Sequence, residues 1–226
     1  MDYLAIDRHI AFLYRKLLSS HNNPINVEAE KNKVFSEKNY NPVLNYEKDF
    51  NSLIYIKNEL NKIQPDFTPI GKLFNEKIKE MLNKINLIAS SGSSSFSKNS
   101  VKLYGKPSPE LVKHALKFME LPDEPQLQVH STSSAKRKFI DYFLRNDMDW
   151  QVREKEMVVA ASFNVTKKIL YINKNRKFSE NDLRRLFVHE IGTHITRAEN
   201  AKKQKFKLFL IGFPDYLATE EGLAVY

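Results

Sequence analysis

Residues 167–200 read KKILYINKNRKFSENDLRRLFVHEIGTHITRAEN, and this stretch decides the fold class. KKILYIN alternates branched or aromatic residues with polar ones and is bounded by Asn173 and Asn175, the pattern of a strand. Ser179 followed three residues later by Asp182 is a capping-box start. Glu180 and Asp182 fall in the first turn, where the helix dipole favours acids. Leu183, Leu186 and Phe187 give the helix an apolar face. A strand therefore runs into a helix whose second half delivers His189, Glu190 and His194.

Working upstream, EMVVAASFNV (156–165) is a second strand-like run and 131–149 is helical. The helix carries Lys136, Arg137 and Lys138, either a solvated basic face or a contact for an acidic ligand. LPDEPQ makes a turn before LQVHS, a short strand candidate. Within residues 101–119 a helix starts with Ser108 as N-cap and Pro109 at its first position. The Ser-rich stretch SSGSSSFSKNS (90–100) is the clearest composition break, read as a flexible loop with a mobile lid as the alternative. Before it stand three amphipathic helices. The first covers 1–19 and is stopped by Asn22, Asn23 and Pro24; the second is marked by Phe50, Leu53, Ile54, Ile56 and Leu60. The third starts near Pro69 and carries a stripe from Leu73 to Ile88. The reading is α+β, mostly helical with a small sheet. It places an N-terminal helical region at 1–89 and a core at 101–226, joined by the loop 90–100.

Composition narrows the chemistry. With 226 residues the chain is long enough to bury a core without disulfides. Lys and Arg exceed Asp and Glu by 36 to 27, a formal charge of +9 that favours acidic partners. Zero cysteines exclude disulfides, thiolate zinc sites, iron–sulfur clusters and cysteine nucleophiles, so any metal is held by His, Asp or Glu. The N-terminus lacks the pattern of a signal peptide and no window is apolar enough to span a bilayer, so a cytoplasmic protein without membrane contact is expected.

A His-Glu pair followed by a second His is a common way to build a zinc hydrolase site. The usual separation of four places the rings about 40° apart on an ideal helix, whereas the five here give about 140°. Two outcomes follow. Either the histidines are unrelated, or one extra residue enters as a π-bulge and returns i and i+5 to one face. Gly192 inside the interval weakens an ordinary helix by about 1 kcal/mol relative to Ala, which favours the bulge. Two histidines need a carboxylate to complete a His₂Glu set. PDYLATEEGLAVY (214–226) offers Thr219 as the cap of a helix with Glu220 and Glu221 in its first turn. Neighbours on a helix point about 100° apart, so one carboxylate can face a metal while the other faces solvent. An ordinary acidic first turn explains the pair as well.

HEIGTH, Arg197 and the downstream TEEGLA together resemble the microtubule-associated tyrosine carboxypeptidase family and its bacterial relatives with a Gln-Glu-Gly-Leu-Ala motif. The likeness runs from about VKLYGKPSPELVKHAL to the end. It implies a gluzincin-like metallopeptidase core and one Zn²⁺ held by His189, His194 and Glu221, with Glu190 as general base. Bacterial relatives have Gln where this chain has Glu220, which favours Glu221 as the ligand. The implied function is a zinc-dependent carboxypeptidase acting on protein or peptide C-termini. Relatives continue beyond the motif, so a shortened or fragmentary chain is expected, with its activity in doubt. Arg197, one turn beyond His194, is the candidate for the substrate's terminal carboxylate, with a salt bridge as the competing role. The strand 167–173 is either an internal strand or an edge for an extended substrate. An acidic C-terminal tail on the polypeptide substrate would suit the +9 charge; the family's tubulin substrate is not carried over. The rival reading is a basic binding or regulatory protein, either metal-free or an inactive relative retaining zinc. Nucleic acid is disfavoured because the basic residues are dispersed and the aromatics follow no nucleic-acid-binding pattern.

Overall fold

The computed structural model describes residues 1–19, 24–46, 49–122, 125–165 and 167–225. The chain runs α1 (Tyr3–Ser19), α2 (Val27–Ser36), α3 (Phe50–Lys62), α4 (Pro69–Ala89), α5 (Phe96–Tyr104), α6 (Pro109–Met119) and α7 (Thr132–Arg145). It continues through β1 (Gln151–Lys155), β2 (Ala161–Asn164), β3 (Ile169–Asn173), α8 (Glu180–Leu186), a π-helix (Phe187–Ile195), α9 (Thr196–Lys202), α10 (Leu208–Ile211) and α11 (Tyr216–Val225). The architecture is α+β and mostly helical, as the sequence predicts. No helix among the described residues is long and apolar enough to cross a membrane.

Two compact units form, one from Met1–Met119 with Phe206–Pro214 and one from Glu120–Lys205 with Asp215–Tyr226. The division is not at the Ser-rich stretch, which lies wholly inside the first unit. There Ser90 Oγ donates to Leu87 O (2.9 Å) and Ser93 Oγ to Ser90 O (2.7 Å), closing the end of α4. α5 begins at Phe96 and packs on α4. The serines are helix-terminating groups rather than a long flexible loop, because their short hydroxyls satisfy carbonyls left open at the helix end.

The first unit's core follows from helical spacing. Ile10, Leu13 and Leu17 of α1 meet Leu53, Ile56 and Leu60 of α3 and Phe74, Ile78 and Met81 of α4. Asp7 is buried and accepts the Lys207 and Leu208 backbone N–H groups (2.6 and 2.8 Å), tying the start of α10 to α1. α2 escapes a pattern-based reading because VEAEKNKVFS has no apolar stripe. Asn22 and Asn23, expected to stop α1, lie outside the described residues, as do Asp123 and Glu124 of the expected LPDEPQ turn.

At the start of α4, Thr68 accepts the Gly71 N–H (3.2 Å) and Pro69 follows it at the first helical position. A Cβ on Gly71 would lie 2.3 Å from both Asp66 O and Asp66 Oδ1. Gly71→Ala is therefore expected to lower stability by about 1–3 kcal/mol, the usual cost of overpacking. Equilibrium urea unfolding followed by circular dichroism measures it; an unchanged midpoint would show that the 66–71 turn relaxes freely.

In the second unit β3 is the central strand of a three-stranded sheet ordered β1-β3-β2. It pairs parallel with β1 from Gln151↔Ile169 to Lys155↔Asn173, and antiparallel with β2 from Ala161↔Ile172 to Asn164↔Ile169. Both its edges are occupied, so it is an internal strand and offers no backbone to an extended substrate. β1 went unforeseen because only Val152 of QVREK is buried. LQVHS forms no strand; His130 makes a single bridge with Phe178. Ala135, Phe139 and Phe143 of α7 join Leu170, Ile172, Leu183, Ile191 and Ile195 in one core. Lys136 and Lys138 on the outer side pair with Glu154 (3.4 Å) and Glu180 (2.9 Å), as a solvated basic face does.

Candidate metal centre

A capping box starts the helix that carries the histidines: Ser179 Oγ accepts the Asp182 N–H and Asp182 accepts the Ser179 N–H, each at 3.0 Å. From Phe187 to Ile195 the helix widens into nine residues of π-helix, continuous with α8 before and α9 after. This is the i,i+5 geometry that the His189–His194 spacing demands. Two threonines reinforce it. Thr193 Oγ1 donates to Val188 O (3.1 Å) and Thr196 Oγ1 to Ile191 O (2.8 Å), each reaching five residues back. Their spacing from those carbonyls is the sequence signal that a search confined to ligands passes over. Gly192 takes an ordinary negative φ, and a Cβ there would meet only Phe187 O at 3.5 Å. Its contribution is weak α-helix propensity rather than an unusual backbone angle.

Ile191 and Ile195 bury fully in the core and Phe187 stacks on Phe139, centroids 4.4 Å apart. The π-helix also packs along α11, and there the histidines meet the glutamates. Glu221 Oε2 lies 3.8 Å from His189 Nε2, and its Oε1 lies 3.7 Å from His194 Nε2. The two imidazoles stand edge to face with centroids 4.8 Å apart. All three donor atoms fall within 4.8 Å of one another, the one such grouping found among the described residues. Zinc ligands about 2.0–2.2 Å from a common centre stand roughly 3.3–3.6 Å apart at tetrahedral angles. The Glu221 contacts, each made by a different oxygen, lie a few tenths of an ångström above that range. The spread of up to 4.8 Å across the three donors means that the side chains would draw in by up to about 1 Å around an ion. Two imidazole nitrogens and one carboxylate oxygen are also the donor types that zinc takes, leaving a fourth position. The residues present fit the ion.

α11 starts at Tyr216, directly after Asp215 with its φ of 57°, so Glu220 and Glu221 sit in mid-helix rather than in the first turn. The roles of the pair differ from the sequence expectation of one metal-facing and one solvent-facing group. Glu220 is the buried one, 6% exposed, and Glu221 keeps 48% of its side chain in solvent. Glu220 Oε1 lies 2.8 Å from His194 Nδ1 and accepts from Arg197 Nε (2.6 Å). Arg197 also lies over the Tyr216 ring, 5.4 Å from its centroid. The salt bridge weighed against a substrate role for Arg197 is thus present.

Glu190 is buried, and burial pushes its carboxyl upward against the opposing pull of His189 and His194. It lines a cavity of about 880 Å³ with His189, Ala161 and Ala224. Three guanidinium-bearing residues, Arg176, Arg184 and Arg185, border the same cavity. Arg176 lies 3.4 Å from Asp182, whereas Arg184 and Arg185 have no carboxylate within ion-pair distance among the described residues. Sequence reasoning missed both, although Arg185 stands four positions before His189, one turn away on the same face.

A family model described as "Microtubule-associated tyrosine carboxypeptidase" matches residues 33–226, so the likeness reaches well upstream of residue 101. No curated protein and no solved structure matches the chain.

Proposed function

The chain belongs to the microtubule-associated tyrosine carboxypeptidase family, and from that premise we propose that it is a zinc-dependent peptidase trimming polypeptide C-termini. The observation carrying this reading is the convergence of His189, His194 and Glu221 beside a cavity that Glu190 lines. His189, His194 and Glu221 hold the ion. When bound, zinc supplies Lewis acidity, lowering the pKa of water toward about 7 and polarising a carbonyl. Glu190 takes a proton from the attacking water onto a carboxylate oxygen and returns it to the departing amine nitrogen, so its charge is restored after each turnover. Its burial suits both halves of the task, since a carboxyl pushed upward accepts a proton more readily than a solvated one.

The substrate's C-terminal end occupies the arginine-bordered cavity, with Arg184 and Arg185 as partners for its terminal carboxylate. An acidic tail would be attracted by the same charges. A charge-assisted hydrogen bond contributes about 1.5–3 kcal/mol. The double variant Arg184→Ala/Arg185→Ala should therefore lower kcat/KM for a free-acid peptide by roughly ten- to hundredfold. Its rate on the matching C-terminal amide should stay near wild type. Equal losses on both peptides would remove the arginines from carboxylate recognition.

Metal content of the purified chain and digestion of a peptide library read by mass spectrometry test the proposal as a whole. One zinc per chain and products shortened from the C-terminus support it. A zinc-loaded chain that cuts nothing would favour the inactive-relative reading, and a chain that takes up no zinc would overturn the peptidase assignment.

A further inference from the structure

We infer that Glu220 is the positioning residue of the metal centre: it holds His194 in the tautomer and ring orientation that present Nε2 to the ion, with Arg197 as its countercharge. The inference deepens the zinc peptidase reading and rests on it.

An ionised carboxylate only accepts hydrogen bonds. Glu220 Oε1 lies 2.8 Å from His194 Nδ1, so Nδ1 carries the proton and donates. In a neutral imidazole the other nitrogen then keeps its lone pair. That nitrogen is Nε2, which faces Glu221 Oε1 at 3.7 Å. The opposite tautomer would set a lone pair of Nδ1 against a lone pair of Oε1 and turn an N–H toward the ligand site. A buried carboxylate without partners is costly, but the Arg197 guanidinium donates to the same Oε1 at 2.6 Å. Phe163 of β2 stacks on the His194 ring, centroids 5.5 Å apart and planes 23° apart. The ring is thereby fixed at its Nδ1 edge and on a face, and its side chain is 10% exposed.

His189 is held more loosely. Its side chain is 34% exposed, its Nε2 lies 3.8 Å from Glu221 Oε2 and its ring stands edge to face with that of His194, while no hydrogen bond to it is found among the described residues. His194 and Glu221 form the prepared half of the site, and both of the glutamates that set His194 come from one turn of α11. Metal-ligating histidines usually have such an outer partner, whose loss costs about 10–100-fold in metal affinity.

Zinc affinity of the full chain, measured by competition with a chromophoric chelator, tests this in wild type, Glu220→Gln and Glu220→Ala. The Gln amide oxygen can accept both hydrogen bonds, so Glu220→Gln should bind zinc nearly as tightly as wild type. Glu220→Ala should bind about 10–100-fold more weakly and alter the visible spectrum of the Co²⁺-substituted protein. A second readout needs no variant: ¹⁵N NMR of the zinc-loaded chain should show His194 protonated at Nδ1 and coordinated through Nε2. A Glu220→Ala protein with wild-type affinity and an unchanged Co²⁺ spectrum would overturn the inference, as would His194 coordinated through Nδ1. A wild-type chain without zinc would fail at the earlier step and overturn the peptidase reading along with it.

Discussion

Glu190→Gln is expected to lower peptide hydrolysis by about 10²–10⁴-fold, the usual contribution of a positioned proton-transfer group, while zinc stays bound. The amide keeps the shape of the carboxylate at a buried position on the cavity wall, so the binding of substrate should change little and the loss should fall on kcat. It cannot take a proton from water or return one to the leaving amine. Because burial already disfavours the charged carboxylate, the neutral amide should also fold at least as stably as the native side chain. Steady-state kinetics on a free-acid peptide, with metal content measured on the same preparation, decides the matter. A variant that retains zinc and wild-type kcat would remove Glu190 from the proton path.

Glu221→Ala should abolish turnover by a different route. Its carboxylate is the group that faces Nε2 of both histidines, so its loss leaves two nitrogens without their third partner. Zinc affinity is expected to fall further than the roughly 10–100-fold of an outer partner's loss. With the side chain half in solvent, the metal-free variant should unfold like metal-free wild type. Bound ligand stabilises the native state by about 4 kcal/mol at a thousand times its Kd, and this increment should vanish in the variant. Thermal unfolding with and without zinc separates loss of metal from loss of fold. A Glu221→Ala protein that still gains stability from zinc would place the ligand elsewhere, with Glu220 as the alternative carboxylate.

The two adjacent glutamates mark the limit of a sequence reading. Their side chains leave the helix about 100° apart whatever the register, but which one meets the histidines depends on how α11 docks along the π-helix. The start of α11 at Tyr216, three residues before the Thr219 cap that the sequence suggests, belongs to the same docking. Arg197 is a comparable case. One helical turn beyond a candidate ligand, it could reach outward to a substrate or back to a carboxylate, and the presence of buried Glu220 selects the second. Arg184 and Arg185 look like ordinary surface cations until the cavity they border is seen.

By itself the sequence determined the features that depend on near neighbours: the Ser179–Asp182 capping box, the amphipathic stripes of α1, α3 and α4, the start of α4 near Pro69, and the spacing of His189 and His194 that a regular α-helix cannot serve. Each arises from local geometry, where the partner lies within about one turn and the pattern is written in consecutive residues. Tertiary structure alone decided that β3 sits between two strands, that 206–214 packs with the first helices, and that Glu220 is buried against His194 and Arg197. Those outcomes turn on which distant surfaces come together. Burial and direction of a side chain are then set by its neighbours in space, and no local period encodes them.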